Sequence, residues 1–120
     1  MRCVGAVIRD TEGRLLLIQR GHPPSEGLWS LPGGRVEEDE TDHEALRREI
    51  REETGLEIEV GALAGTVMIG FYEIFDYHAH VTGGELTPGD DASAATWATA
   101  DDLVRLPLTK GLLDFLDGLI

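Results

Sequence analysis

Three glutamates in the middle of the chain, Glu49, Glu52 and Glu53, stand at positions i, i+3 and i+4. On a helix turning ~100° per residue they fall within an arc of roughly 100°. Like charges stacked this way cost a few tenths of a kcal/mol per pair on an isolated helix. A hard divalent cation would remove that cost. Mg²⁺ prefers carboxylate oxygens and leaves its other positions to water and substrate phosphates. The surrounding segment 34–56, GRVEEDETDHEALRREIREETGL, also carries Gly34, Glu40 and Arg48. Taken alone, its Glu44/Arg48 and Arg48/Glu52 pairs at i, i+4 could equally belong to a solvated helix face.

The helix that would hold these acids begins near Thr41. Thr41 followed by Glu44 is a capping-box pattern. Ala45, Leu46 and Ile50 supply the inward contacts, Gly55 is the stop, and Leu56 is placed for the accompanying hydrophobic contact. Ahead of it, Pro32-Gly33-Gly34 closes a short apolar strand at Leu28–Leu31, and paired glycines let a ligand approach the main chain. Residues 2–9 and 14–20 read as a β-hairpin around Asp10-Thr11-Glu12-Gly13. Residues 21–27 form a Pro/Gly loop. After the helix, residues 57–69 and 71–81 read as strands, with Gly70 a break or bulge. A loop with Gly83-Gly84 and Pro88-Gly89 carries Glu85, Asp90 and Asp91. Ala94–Ala98 is a last short strand. Asp101–Leu106 and Lys110–Leu119 are helix candidates. Strand-rich halves around one helix suggest a mixed sheet between helices.

The chain has 120 residues, 42% hydrophobic and 28% charged, which suits a single domain over 1–120. Ten Lys and Arg against 23 Asp and Glu give a net charge of −13. That balance argues against a nucleic-acid duplex or an anionic membrane as partner. It leaves room for a phosphorylated small molecule whose charge is met by metal ions. Nine of the acids lie between Glu37 and Glu53, where such a metal would sit. Cys3 is the only cysteine, which fits a reducing compartment and a small apolar role. The apolar run Cys3–Ile8 is too short for a signal-peptide core, and no stretch approaches membrane-spanning length, so a cytoplasmic location is expected. His78 and His80 share a strand face and could pair on a metal, but exposed or hydrogen-bonded histidines are the plainer reading. Trp29, Phe71, Tyr72 and Tyr77 could stack on a base, with packing the plainer role for each.

The defined positions Gly34, Glu40, Arg48, Glu49, Ile50, Glu52, Glu53, Gly55 and Leu56 together resemble the Nudix box, and Leu31-Pro32-Gly33-Gly34 resembles its usual entry. The resemblance implies an α/β fold, the Nudix-type α/β/α sandwich with a mixed β-sheet. It implies Mg²⁺- or Mn²⁺-dependent hydrolysis of a nucleoside diphosphate linked to another group, X. It assigns metal binding to Glu49, Glu52 and Glu53, often with the Gly33 carbonyl. Arg48 orients the glutamates, while Gly34 and Glu40 support the helix and metal shell. One further acid often comes from a distal loop: here Asp91 first, Asp90 second and Glu85 third. Homodimers are common in the family.

A pyrophosphate's negative charge repels incoming hydroxide; bound metal neutralises it and lowers the pKa of a coordinated water. Glu53, or Asp91 in the alternative, would then accept the water proton. The box says little about X. The Pro23…Gly27-Leu28-Trp29 approach and the Gly89…Trp97…Leu103 tail resemble members that cleave ADP-ribose, so ADP-ribose or nucleotide sugars come first. The (deoxy)nucleoside triphosphates, oxidised ones included, come second, ahead of dinucleoside polyphosphates. A nucleotide-sensing module and a scaffold protein are the non-enzyme alternatives; the intact acid set speaks against both.

Overall fold

The computed structural model describes residues 1–23, 25–87 and 92–119, without the side chains of Ala92 and Ser93. Its strands are β1 (Arg2–Ile8), β2 (Leu15–Arg20), β3 (Trp29–Ser30), β4 (Gly33–Arg35), β5 (Leu56–Ile69), β6 (Tyr72–Gly84) and β7 (Ala92–Ala98). Its helices are α1 (Asp42–Thr54), α2 (Ala100–Arg105) and α3 (Leu112–Asp117). The strands form a mixed sheet in the order β4-β1-β6-β5 and an antiparallel sheet in the order β3-β2-β7.

Two buried clusters lie on opposite faces of the mixed sheet. On one face Val4, Ala6 and Ile8 of β1 meet Ala45, Leu46 and Ile50 of α1. On the other, Val7 packs with Leu15 and Leu17 of β2 and with Leu112 and Leu116 of α3. The alternation along β1 sends successive side chains to the two clusters. This central strand is therefore buried on both faces, which explains the unbroken Val4–Ile8 apolar run. The layering agrees with the expected α/β/α sandwich and mixed sheet.

α1 forms as its sequence signals require. Thr41 accepts from the Glu44 N–H and the Glu44 carboxylate accepts from the Thr41 N–H. Both satisfy donors that a helix start leaves orphaned. Gly55 ends the helix at φ 76°, a left-handed conformation suited to glycine. Ala45, Leu46 and Ile50 are fully buried.

Two expectations change. Residues 2–9 and 14–20 are linked by a tight turn, in which Asp10 accepts from the Gly13 N–H, yet they are not a hairpin. Only the isolated bridge Arg9↔Leu15 joins them, and they part into different sheets. Each finds a longer partner elsewhere: β1 runs parallel to β6, and β2 antiparallel to β7. The second change is that Gly33-Gly34, read as a stop, begins strand β4, antiparallel to β1. The contact is close because a Cβ on Gly33 would collide with the Val4 carbonyl. Gly70 is the expected break between two strands. It takes φ 59° at the tip of the β5–β6 hairpin. Among the described residues no helix is long and apolar enough to cross a membrane.

Leu46→Ala should cost about 2–5 kcal/mol, because the tight core can collapse only partly around the lost volume. Thr41→Ala should cost about 1 kcal/mol through the lost cap. Urea unfolding of both variants against the parent protein checks the two magnitudes and their order.

Candidate metal and phosphoanhydride site

Arg48 organises the acidic cluster. Its Nε and Nη2 donate to the two Glu40 oxygens at 2.8 and 2.9 Å, a bidentate pair. Its Nη1 donates to Glu49 at 2.9 Å and more loosely to Glu52 at 3.3–3.4 Å. Nη2 also donates to the Arg35 carbonyl at 3.0 Å, tying α1 to β4. One guanidinium thus donates hydrogen bonds to three carboxylates that would otherwise repel one another. Its own pKa is raised, first by its hydrogen bonds to Glu40, against the opposing effect of burial.

Glu40 receives a second anchor, the Glu37 N–H at 2.9 Å. The Arg48 hydrogen bonds, and then the Glu37 N–H, bring the Glu40 carboxyl down to about 2 from its usual 4.5. This explains why an acid outside the helix belongs to the cluster: it holds Arg48 in position from the loop side.

The carboxylates span a gradient of exposure. The Glu52 side chain is 55% exposed and Glu49 only 17%. Glu53 is buried at 7%, and its Oε1 accepts the Gly33 N–H at 2.7 Å. That bond fixes one end of the Glu53 carboxylate against the β3–β4 segment. Gly34 serves Glu49 in a different way. A Cβ there would run into the Glu49 carboxylate, so the missing side chain makes room for the acid. Gly33 and Gly34 thus each match one acid of the next helix: a donor for Glu53, space for Glu49.

Gly33, Gly34, Glu49 and Glu53 border a cleft of about 290 Å³ lined also by Ile18, Arg20, Gly21, His22 and Arg35. The structure therefore brings together Gly33, Gly34, Glu40, Arg48, Glu49, Glu52 and Glu53. Among the described residues, no three His, Cys, Asp or Glu side chains converge into a ready metal cage. Glu49 and Glu52 lean on Arg48 while Glu53 leans on Gly33, an arrangement that limits carboxylate repulsion. The donor set still fits a hard cation: three carboxylates on one helix face, beside a main-chain strand. Asp90 and Asp91 lie outside the described residues. Glu85 is exposed, beyond the C-terminal end of α1, where its carbonyl lies near Gly55.

Arg20 and His22, two cationic or polar side chains of the cleft, were not singled out by the sequence; their signal was the Arg20-Gly21-His22 exit from an apolar strand. Tyr77 is committed to packing: its hydroxyl donates to Asp42 at 2.5 Å and its ring meets His43 edge-on. Trp29 packs with the α3-side cluster, and Phe71 is 90% exposed at the hairpin tip. His78 and His80 are both exposed, with His80 3.9 Å from Glu59. Cys3 is a free, half-buried thiol whose pKa is raised by burial.

The NUDIX domain profile matches residues 1–119. The chain belongs to the Nudix family. It is 39% identical over 109 residues to an ADP-ribose pyrophosphatase of Methanocaldococcus jannaschii, covering 82% of this chain and 62% of that protein. This Nudix chain therefore spans less than two thirds of that relative's length. It is 29% identical to a CTP pyrophosphohydrolase of Escherichia coli, covering 96% and 88% of the two chains. The crystal structure of a MutT Nudix hydrolase from Burkholderia pseudomallei superposes with a TM-score of 0.85 at 34% identity, covering 97% of this chain and 95% of that one. The fold expected from the box is thus the fold observed, and Nudix hydrolases act with divalent metal ions.

The depressed Glu40 carboxyl sets a pH window. A group with a lowered folded pKa contributes stability above its unfolded value and loses it as pH falls through the folded value. In the parent protein this contribution is therefore lost between about pH 4.5 and about 2. Glu40→Gln should flatten that part of the melting-temperature profile. Thermal melts from pH 6 to pH 2 check it; superimposable slopes for both proteins would show that Glu40 carries no such linkage.

Proposed function

We propose that this Nudix protein hydrolyses a phosphoanhydride bond in a nucleoside diphosphate linked to X, with Mg²⁺ or Mn²⁺ as the required ion. The observation that carries the reading is the Gly33 N–H···Glu53 bond beside Glu49 and Glu52, both held by Arg48. Glu49 and Glu53 line one cleft and Glu52 belongs to the same helix, which supports a set of three hard oxygen donors. ADP-ribose or a nucleotide sugar is the first substrate class, supported by the Methanocaldococcus relative's name. A (deoxy)nucleoside triphosphate is the second, supported by the Escherichia coli relative.

Glu49, Glu52 and Glu53, with the Gly33 carbonyl, would hold the ion. When bound, it neutralises diphosphate charge and lowers the pKa of an attacking water. Every other contribution comes from the chain. Arg48 keeps Glu49 and Glu52 from splaying and so reduces the reorganisation needed on binding. Gly33 holds one Glu53 oxygen in place, and Glu53 accepts the water proton. Asp91 is the alternative acceptor. Arg20 and Arg35 at the cleft supply positive charge for a substrate phosphate in an otherwise acidic protein. A cytoplasmic setting fits the single reduced cysteine.

Glu53→Gln preserves shape and removes the charge. Its turnover of the preferred substrate should fall by about 10²–10⁴-fold. Its Mn²⁺ affinity, read by the electron paramagnetic resonance of free Mn²⁺, should weaken in parallel. The parent protein is to be assayed against ADP-ribose, nucleotide sugars, common and oxidised nucleoside triphosphates and a dinucleoside polyphosphate. Undiminished turnover in the variant would remove Glu53 from this role; nucleotide binding without turnover by the parent would favour the sensing module.

A further inference from the structure

Four residues stand side by side across the mixed sheet: Gly33 of β4, Gly5 of β1, Asp76 of β6 and Gly65 of β5. Residues in register point to the same face. Their neighbours Gly34, Val4 and Phe75 face α1: Gly34 meets Glu49, while Val4 and Phe75 join the α1-side cluster. The Gly33–Gly5–Asp76–Gly65 row therefore lies on the opposite face. Three of its four members have no side chain, and the Asp76 carboxyl occupies the space beside Gly5. Gly33 at one end lines the acidic cleft. At the other end the Phe115 ring edge comes within 2.9 Å of where a Gly65 Cβ would stand.

Asp76 is the only side chain in this row. It is 5% exposed and bends across its neighbour, so that a Cβ on Gly5 would collide with its Oδ1. Among the described residues no hydrogen bond or ion pair engages its carboxyl; burial alone acts on it, pushing its pKa up to about 6. No buried side-chain oxygen among the described residues lacks both a partner and solvent access, so the Asp76 oxygens keep a narrow opening. An unpartnered buried carboxyl is costly, and a native protein that retains one invites a partner from outside the chain.

We propose that the Gly33–Gly5–Asp76–Gly65 row is the nucleobase subsite of the acidic cleft, and that Asp76 selects a guanine-type base edge by accepting its two adjacent N–H donors. The proposal rests on the nucleotide reading above and adds the identity of the base, whatever X is. Neighbouring strands are about 4.8 Å apart, so Asp76 stands about 10 Å from Gly33, roughly the reach of a nucleoside beyond its phosphates. Gly33 and Gly5 put no side chain between the cleft and the Asp76 carboxyl, and Phe115 offers an aromatic edge at the far end. An ionised carboxylate has two acceptors and no donor. Guanine presents N1–H and N2–H side by side, whereas adenine and cytosine each present one donor beside an acceptor. Asp76→Asn turns the two acceptors into one acceptor and one donor at nearly constant shape, which matches adenine or cytosine better.

The test compares GDP-ribose with ADP-ribose and GTP with ATP, in the parent protein and in Asp76→Asn, with GMP and AMP binding measured by calorimetry. The parent protein should favour the guanine member of each pair by about tenfold or more, the discrimination that one bidentate pair supplies. The substitution should remove that preference through KM, leave kcat within about threefold, and weaken GMP more than AMP. The melting temperature should not fall, since no native partner is lost. An unchanged guanine-to-adenine ratio, or an equal loss of kcat on every substrate, would overturn the proposal. So would a large drop in melting temperature for Asp76→Asn, which would make the carboxyl a structural group. If the parent protein turns over none of the four, binding decides: tighter binding of GMP than AMP, abolished by Asp76→Asn, would support the subsite, and equal binding would overturn it.

Discussion

Electrostatic repulsion on one helix face is the constraint around which this structure is arranged. Glu49, Glu52 and Glu53 must lie close together to share a cation, yet without one they destabilise the helix that carries them. The chain meets this with a single guanidinium and a single peptide N–H. Arg48 takes Glu49 and Glu52, and is itself held by Glu40 from the preceding loop. Gly33 takes Glu53. Because both devices join α1 to the β4 segment, the acids are positioned by the same contacts that dock the helix on the sheet.

That coupling explains why small residues matter at the junction. β4 approaches β1 closely because Gly33 has no side chain to meet Val4, and α1 approaches β4 because Gly34 has none to meet Glu49. The cleft is therefore walled by backbone on one side and carboxylates on the other. A protein with net charge −13 presents Arg20 and Arg35 at that cleft, beside Glu49 and Glu53.

The helix and its acids were legible in the sequence because their signals are local. Thr41 and Glu44 cap it, Gly55 ends it, and the spacing of Ala45, Leu46 and Ile50 fixes the face opposite the carboxylates. Sheet partnering was not legible in the same way. Nothing local in residues 2–20 distinguishes a hairpin from two strands that turn and part, because the decision lies with β6 and β7, more than fifty residues away in sequence. Asp76 shows the same limit. In Ile74–His80 it alternates with apolar Phe75 and Tyr77 and so reads as a solvent-facing residue. Only its register with Gly5 and Gly65 reveals that it is buried.

The central claim is that the C-terminal half of α1 and the Gly33-Gly34 strand together form the metal site. Titrating Mn²⁺ into the ¹⁵N-labelled protein and following paramagnetic broadening of the amide resonances tests it directly. The account predicts first and strongest broadening at Gly33, Gly34, Glu49, Glu52 and Glu53, reversed by excess Mg²⁺. Broadening that begins instead at Glu37–Asp39 or at His78 and His80, with the amides of Glu49–Glu53 unaffected, would contradict it.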